Sequence, residues 1–263
     1  MKIIGEKINA TIKDVRRIIG DRDDNDLLAL ARKQAEAGAF YLDVNVGTGE
    51  GSRDDEIAAM DWAVKLVSEA VDAPISVDSA DPGVIEAGLK ALNGKKALIN
   101  SVKAEEKMLA AVMGLVKGYD CEVVALAMDE KGIPPTVDER LKACEKIASF
   151  CSKSGVELGK VYFDPLVLPI SADVTQGMTT LKTIEAIKTA IPEAHTVMGL
   201  SNVSYGLPAR KKLNLGFLQM AIYAGLDAAI ADPLDAEFMS AVKTAEVLIG
   251  RDKRCKRYTR QFR

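Results

Sequence analysis

A chain of 263 residues, 48% apolar and 28% charged, can bury a full core and is too hydrophobic for disorder. Its net charge of −3 argues against a nucleic-acid surface over the whole chain, and no run approaches the ~20 apolar residues that span a bilayer. The four cysteines form no C-x-x-C pair and the N-terminus carries no apolar run of signal length, so a cytoplasmic protein is expected.

Strand-like apolar runs occur at 3–8, 39–46, 74–79, 96–101, 122–128, 160–166, 195–201 and 226–231. Helical patterns lie between and after them, at 26–38, 54–70, 83–92, 105–117, 138–153, 177–190, 214–224 and 235–249. Strands alternating with helices predict a parallel sheet. Eight such units in this length fit a single α/β domain over 1–263, a (β/α)8 TIM barrel. A doubly wound sheet is the alternative; against it, no G-x-G-x-x-G follows the first strand and no P-loop occurs. Asp81-Pro82 reads as a helix N-cap with Pro at the first helical position, and Gly38 as the end of the 26–38 helix. His195, the single histidine, begins an apolar run and reads as structural.

Side chains along a strand alternate faces. In the second run Tyr41, Asp43 and Asn45 share one face. Ser76 and Asp78 share one in the third, Leu98 and Asn100 in the fourth, and Tyr162 and Asp164 in the sixth. In the seventh, Asn202 falls on the parity of Met198 and Leu200. Each acid or amide stands near the C-terminal end of its strand, and in a parallel barrel those ends meet at the substrate-binding mouth. Each taken alone is equally a cap for the next loop; the recurrence across five strands favours a shared pocket. Glu6, ending the first run, either joins the pocket or pairs with Lys7 or a mouth arginine. Such a lining suits a flat ligand with an edge of N–H donors, because a carboxylate accepts two parallel hydrogen bonds. A 2-amino-4-oxopyrimidine ring presents such an edge. Three acids also make a Mg²⁺ set, but there is no compact D-x-D spacing, so no tightly bound metal is expected.

Read together, GEKIN (5–9), LDVNVG (42–47), VDS (77–79), INS (99–101), DPL (164–166) and GLSNVS (199–204) resemble the pterin-binding methyltransferases, and within them the methyltetrahydrofolate:corrinoid protein methyltransferases. The resemblance runs from Ile3 to about Ile249. It implies a homodimeric TIM barrel of anaerobic one-carbon metabolism. The reaction it implies moves the N5-methyl group between methyltetrahydrofolate and cobalamin. It implies that Asp78, Asn100 and Asp164 hold the pterin ring, with Asn202 near the reacting N5 and Ser201 beside it in the same motif. Asp43 and Asn45 would be pocket residues, and Asp43 or water would relay the proton that N5 needs to leave as an amine.

The D-x-H-x-x-G cobalt-ligand pattern is absent, so the corrinoid must arrive on a separate protein partner. Arg210 and Lys211 are candidates for contact with the glutamate tail, a phosphate or that partner, or else solvated rim charges. Tyr205-Gly206-Leu207-Pro208 extends the Asn202 loop where cobalamin would enter. Asp232-Pro233 replaces the basic S-R-type motif expected of a dihydropteroate synthase, which disfavours that alternative; a noncatalytic pterin-binding subunit is the other. The basic tail 251–263 is read as a solvated terminal segment or a docking patch for an acidic partner.

Overall fold

Each apolar run becomes a strand whose two faces meet different surroundings, one the barrel lumen and the other a shell of helices. The computed structural model describes residues 1–262, with Gln261 by its backbone alone. The strands are β1 (Lys2–Asn9), β2 (Tyr41–Asn45), β3 (Ile75–Asp78), β4 (Ala97–Val102), β5 (Glu122–Leu126), β6 (Val161–Asp164), β7 (His195–Gly199) and β8 (Ala228–Ala231). They are parallel and close in sequence order into a barrel, sealed where Ile4 of β1 pairs with Tyr41 on one side and Ile230 on the other. The expected (β/α)8 architecture is therefore the one found, as a single barrel.

The helices are α1 (Lys13–Asp21), α2 (Asp24–Glu36), α3 (Arg53–Ala70), α4 (Pro82–Ala91), α5 (Glu106–Tyr119), α6 (Val137–Ser154), α7 (Gln176–Ala190), α8 (Arg210–Ala224), α9 (Ala236–Leu248) and α10 (Lys256–Gln261). Two of them, α1 and α10, stand where no helix is expected from the sequence. Asp81 caps α4 as its spacing predicts, accepting from the Gly83 and Val84 amides at 2.7 and 3.4 Å. Gly38 follows the end of α2 with φ +97°, a left-handed turn that glycine makes without steric cost.

Two shells fill the space around the sheet. Val44, Val77, Ile99 and Val123 pack outward against Met60, Ile85 and Val112 of α3, α4 and α5. Met198, Leu200 and Ala229 pack outward against Phe217, Leu218 and Phe238 of α8 and α9. The approach of α4 to β3 requires a glycine at position 88, because a Cβ there would lie 2.7 Å from a methyl of Val77. That close seat fixes the strand that ends in Asp78.

The tail is partly organised. Asp252 accepts from the amides of Arg257 and Tyr258 at 3.2 and 2.9 Å, and Arg257 pairs with Glu246 at 3.1 Å. Arg263 lies outside the described residues.

Candidate active site

The lumen is built in levels. Ile4, Tyr41, Leu98, Val124, Tyr162, Val197 and Ala228 form its buried floor. Two residues further along the same strands, on the same face, stand Glu6, Asp43, Asn100, Leu126, Asp164, Gly199 and Ile230. The period-two reading of the second, fourth and sixth strands thus carries Asp43, Asn100 and Asp164 into the lumen, toward its C-terminal mouth.

Four of the expected residues form one hydrogen-bonded group. Asp43 accepts at Oδ1 from the Ser76 hydroxyl at 2.6 Å and from Nδ2 of Asn100 at 3.2 Å. Its carboxyl is also hydrogen-bonded to Asp78. Asp78 accepts at Oδ2 from Nδ2 of Asn45 at 2.9 Å, while Oδ1 of Asn45 takes the Gly47 amide at 3.0 Å and so fixes the amide's orientation. Burial drives the Asp43 pKa well above the usual carboxylate range, and the neighbouring Asp78 charge raises it further. Asp78 is also raised by burial, but hydrogen bonds from Asn45 and Asp43 oppose the shift. Two carboxyls in contact cannot both ionise cheaply. Both carboxyls therefore hold a proton more tightly than a free aspartate does, Asp43 under the full effect of burial and Asp78 against the opposing hydrogen bonds.

Asp164 stands apart on β6, beside Leu126 in register. It takes the Leu166 amide at 2.8 Å, and burial pushes its pKa up to about 7 against the opposing effects of that amide and the Arg140 guanidinium. Among the described residues, no lysine or arginine forms an ion pair with Asp43, Asp78 or Asp164. Buried carboxylates without cations need partners from elsewhere.

The rim is different. β7 stops at Gly199, and a 3₁₀ turn (Leu200–Ser204) follows. Alternation ends with the strand, so the shared parity of Asn202 with Met198 and Leu200 does not set its direction. Met198 and Leu200 pack against the helices, while Asn202 is exposed on the turn and its side-chain amide makes no hydrogen bond among the described residues. Arg210 holds that turn: Nη2 donates to the Ser201 carbonyl at 2.8 Å and Nε to the Ser204 hydroxyl at 3.1 Å. Lys211 is paired with Asp235 and Glu237, each at 3.2 Å. The Glu6 pKa is raised by burial and by Asp232; Lys7 pairs with Asp232 at 3.2 Å rather than with Glu6. A hollow of about 320 Å³ is lined by Glu6, Ser201, Arg210, Asn214 and Asp232 among others. Another of about 670 Å³ opens beside Val46, Thr48, Arg53, Glu56 and Asp81. Neither is lined by Asp78, Asn100 or Asp164.

The model of the family described as pterin binding enzyme matches residues 5–232. The chain belongs to the pterin-binding enzyme family. It is 34% identical to a methylcorrinoid:tetrahydrofolate methyltransferase of Eubacterium limosum, over all of this chain and 96% of that protein. It is 33% identical to the methionine synthase of Mycobacterium tuberculosis over 87% of this chain, which spans only 20% of that longer protein. Its fold is similar to a dihydropteroate synthase of Yersinia pestis solved with a pterine-sulfa conjugate, with a TM-score of 0.72 at 17% identity over 95% of this chain and 94% of that one. The Vibrio fischeri ES114 dihydropteroate synthase gives a TM-score of 0.72 at 16% identity, over 94% and 93% of the two chains. At such identities the likeness speaks for the fold alone.

Some residues of this pterin-binding enzyme's mouth carry no sequence signal. Glu56, in the first turn of α3, takes the Ser79 hydroxyl at 3.1 Å and bears on the charge of Asp78. As one of three acids at a helix start, it reads as a surface charge. His195 lies at the other end of the barrel, stacked on Tyr162 with ring centroids 4.7 Å apart. Among the described residues, no group of three or more His, Cys, Asp or Glu side chains is placed to hold a metal, and no helix is long and apolar enough to cross a membrane.

Proposed function

We propose that the chain is a methyltransferase acting between the N5-methyl group of methyltetrahydrofolate and the cobalt of a corrinoid carried by a separate protein. The observation that carries this reading is the Asp78 carboxyl, held by Asn45 beside the buried Asp43, with no lysine or arginine ion-paired to either acid among the described residues. A pterin supplies what that arrangement needs, an N–H edge that gives two parallel hydrogen bonds to one carboxylate. The relationship to the Eubacterium limosum methyltransferase supports the reaction class.

In this reading Asp78, Asn100 and Asp164 orient the pterin. Asn100 gives its N–H to Asp43 and leaves its carbonyl oxygen for a ligand donor. Protein partners hold Asp78 in place before any ligand arrives, so the ligand adds to an existing arrangement instead of rescuing an orphaned charge. The corrinoid supplies the cobalt that gives or takes the methyl group. The protein's task is to let N5 leave as an amine, which needs a proton at N5 as the bond to carbon breaks. Asn202, exposed and unengaged on its turn, accepts from protonated N5 through its carbonyl oxygen. Of the two proton relays, water at the open rim suits the geometry better, because Asp43 is buried and already engaged by Ser76 and Asn100. Asp43 then acts on the chemistry through Asp78. Ser201 and Arg210 hold the Asn202 turn, and Glu6 borders the hollow beside it.

The same proposal takes 1–263 as one pterin-binding domain of a cytoplasmic homodimer in anaerobic metabolism, with the basic tail and the rim meeting the corrinoid protein. The exposed Met220 and Tyr223 of α8 offer apolar surface for a second copy. The test is methyl transfer from methyltetrahydrofolate to free cob(I)alamin, followed by absorbance. Transfer by the wild type, lost in Asp78→Ala, supports the reading. Turnover of a pyrophosphate-activated pterin with an aminobenzoate would instead identify a dihydropteroate-synthase-like enzyme. Tight folate binding without any turnover would identify a noncatalytic subunit.

A further inference from the structure

Arg140, on α6, is fully buried at 0% exposure, a rare state for an arginine without a carboxylate partner. Its hydrogen bonds end on neutral oxygens. Nε donates to the Pro134 carbonyl at 2.9 Å. Nη1 donates to the carbonyls of Pro165 and Leu166 at 3.0 and 2.9 Å, and Nη2 to the amide oxygen of Gln176 at 2.9 Å. One guanidinium thereby ties the loop before α6, the loop after β6 and the first turn of α7. The fork of donors on arginine suits this use, and a lysine offers no equivalent.

The clamped turn is the one that aims Asp164. Leu166 has φ +65°, a left-handed conformation that a branched side chain adopts only when its surroundings impose it. Its amide donates to Asp164 Oδ1 at 2.8 Å, while its carbonyl accepts from Arg140. The two ends of one strained residue thus link Arg140 to the Asp164 carboxylate. The charged and titratable groups facing Asp164 are Arg140 and the Cys144 thiol, both on α6, and burial keeps that thiol protonated. At the same level β5 brings Leu126 and α7 the neutral Gln176, and β7 brings no ionisable group. Arg140 is therefore the fixed positive charge behind Asp164.

We propose that Arg140 is a positioning residue for the folate site: it locks the Pro165-Leu166 turn that orients Asp164 and sets a buried positive charge behind that carboxyl. The part concerning the ligand rests on the function proposed above; the link between Arg140 and Asp164 does not.

The test separates the two. Protein labelled with [4-¹³C]aspartate is titrated by NMR, with the Asp164 signal assigned by its loss in Asp164→Asn. The wild-type signal should titrate near pH 7, since burial pushes the carboxyl up to about 7. In Arg140→Met the midpoint should rise by about one pH unit or more, the usual effect of losing a nearby opposite charge. Arg140→Lys keeps the charge but not the fork. It should leave the midpoint within about 0.5 pH unit of wild type yet weaken methyltetrahydrofolate binding, read by calorimetry, at least ~5-fold. A midpoint that stays at the wild-type value in Arg140→Met, or wild-type affinity in Arg140→Lys, overturns the proposal. If Arg140→Met does not fold, the affinity of Arg140→Lys decides. If the wild type itself binds no methyltetrahydrofolate, the folate reading falls, and the Asp164 titration still decides whether Arg140 governs that carboxyl.

Discussion

The two ends of the barrel lumen are both polar, and they are polar in opposite ways. At the N-terminal end Lys2 lies 3.6 Å from Glu122 and donates to the Tyr162 hydroxyl, while the Tyr41 hydroxyl donates to Glu122. The ammonium sits over the rings of Phe40, Tyr41 and Tyr162, at 4.7, 5.6 and 5.1 Å from their centroids. Burial and the Glu122 charge push both tyrosine pKa values far up, so both remain donors. That end is electrically closed: charge meets charge, and aromatic faces cover the cation. At the C-terminal end Asp43, Asp78 and Asp164 all have pKa values raised by burial, and among the described residues no lysine or arginine is ion-paired to any of them. One end spends its polar groups on itself. The other leaves acceptors open, which stability alone would not select.

The comparison breaks most easily at the mouth. Asn202→Ala should lower methyl transfer by roughly 10²–10³-fold, the usual effect of losing a hydrogen bond made to the developing charge, with folate affinity changed by less than about 3-fold. Equal losses in turnover and affinity would remove Asn202 from the chemistry. Asp78→Ala should instead act on binding, weakening methyltetrahydrofolate by about 100-fold, as expected for two charge-assisted hydrogen bonds. Calorimetry on both variants separates the roles.

Asp164 sharpens the comparison because its cost appears without ligand. Its folded pKa of about 7 lies above the unfolded carboxylate value, so the folded state holds its proton more tightly. For an acid raised in this way the sign is a penalty: stability falls as pH rises from about 4 through about 7, by up to ~4 kcal/mol, and then levels. Asp164→Asn should therefore raise the melting temperature of the unliganded protein at pH 8 by several degrees and change it little at pH 4.5. Folate binding runs the other way in the wild type, strengthening as pH rises through 7, because the anion is the acceptor. A pH-independent Asp164→Asn effect on melting would show that the carboxyl is not strained by burial.

The sequence reveals the mouth through repetition. Asp43, Asn100 and Asp164 each sit two residues after a floor residue of the same strand, and period two carries them inward together. Helix caps are equally plain, because Asp81-Pro82 satisfies the first amides of α4 with local atoms. What stays hidden depends on nonlocal contacts. α1 has only 9 residues, a glycine at position 20 and no side-chain cap at Ile12, so Val15, Ile18 and Ile19 gain helical structure mainly by burial. Asn202 escapes the parity rule because β7 ends three residues before it. In VDERLKAC, Arg140 has the look of a solvated charge, and nothing local announces that three carbonyls and an amide oxygen from other segments converge on it.

The smallest effect tests whether the two ends are independent. Lys2→Met keeps a side chain of similar reach but removes the ammonium. Glu122 then loses its cation while keeping the Tyr41 hydroxyl, and Tyr162 loses a donor. Both partners are about a third exposed, at 32% and 28%, so water softens the loss. A cost of about 1–2 kcal/mol is expected, below that of breaking a fully buried pair. For a domain of this size it should lower the melting temperature by about 2–8 °C. Methyl transfer should stay within about 2-fold of wild type, because the buried floor of Leu98, Val124 and Val197 separates Lys2 from the acids above. Loss of folate binding in folded Lys2→Met would mean that the floor transmits what it was argued to insulate, and the division of the lumen into a closed end and an open end would have to be abandoned.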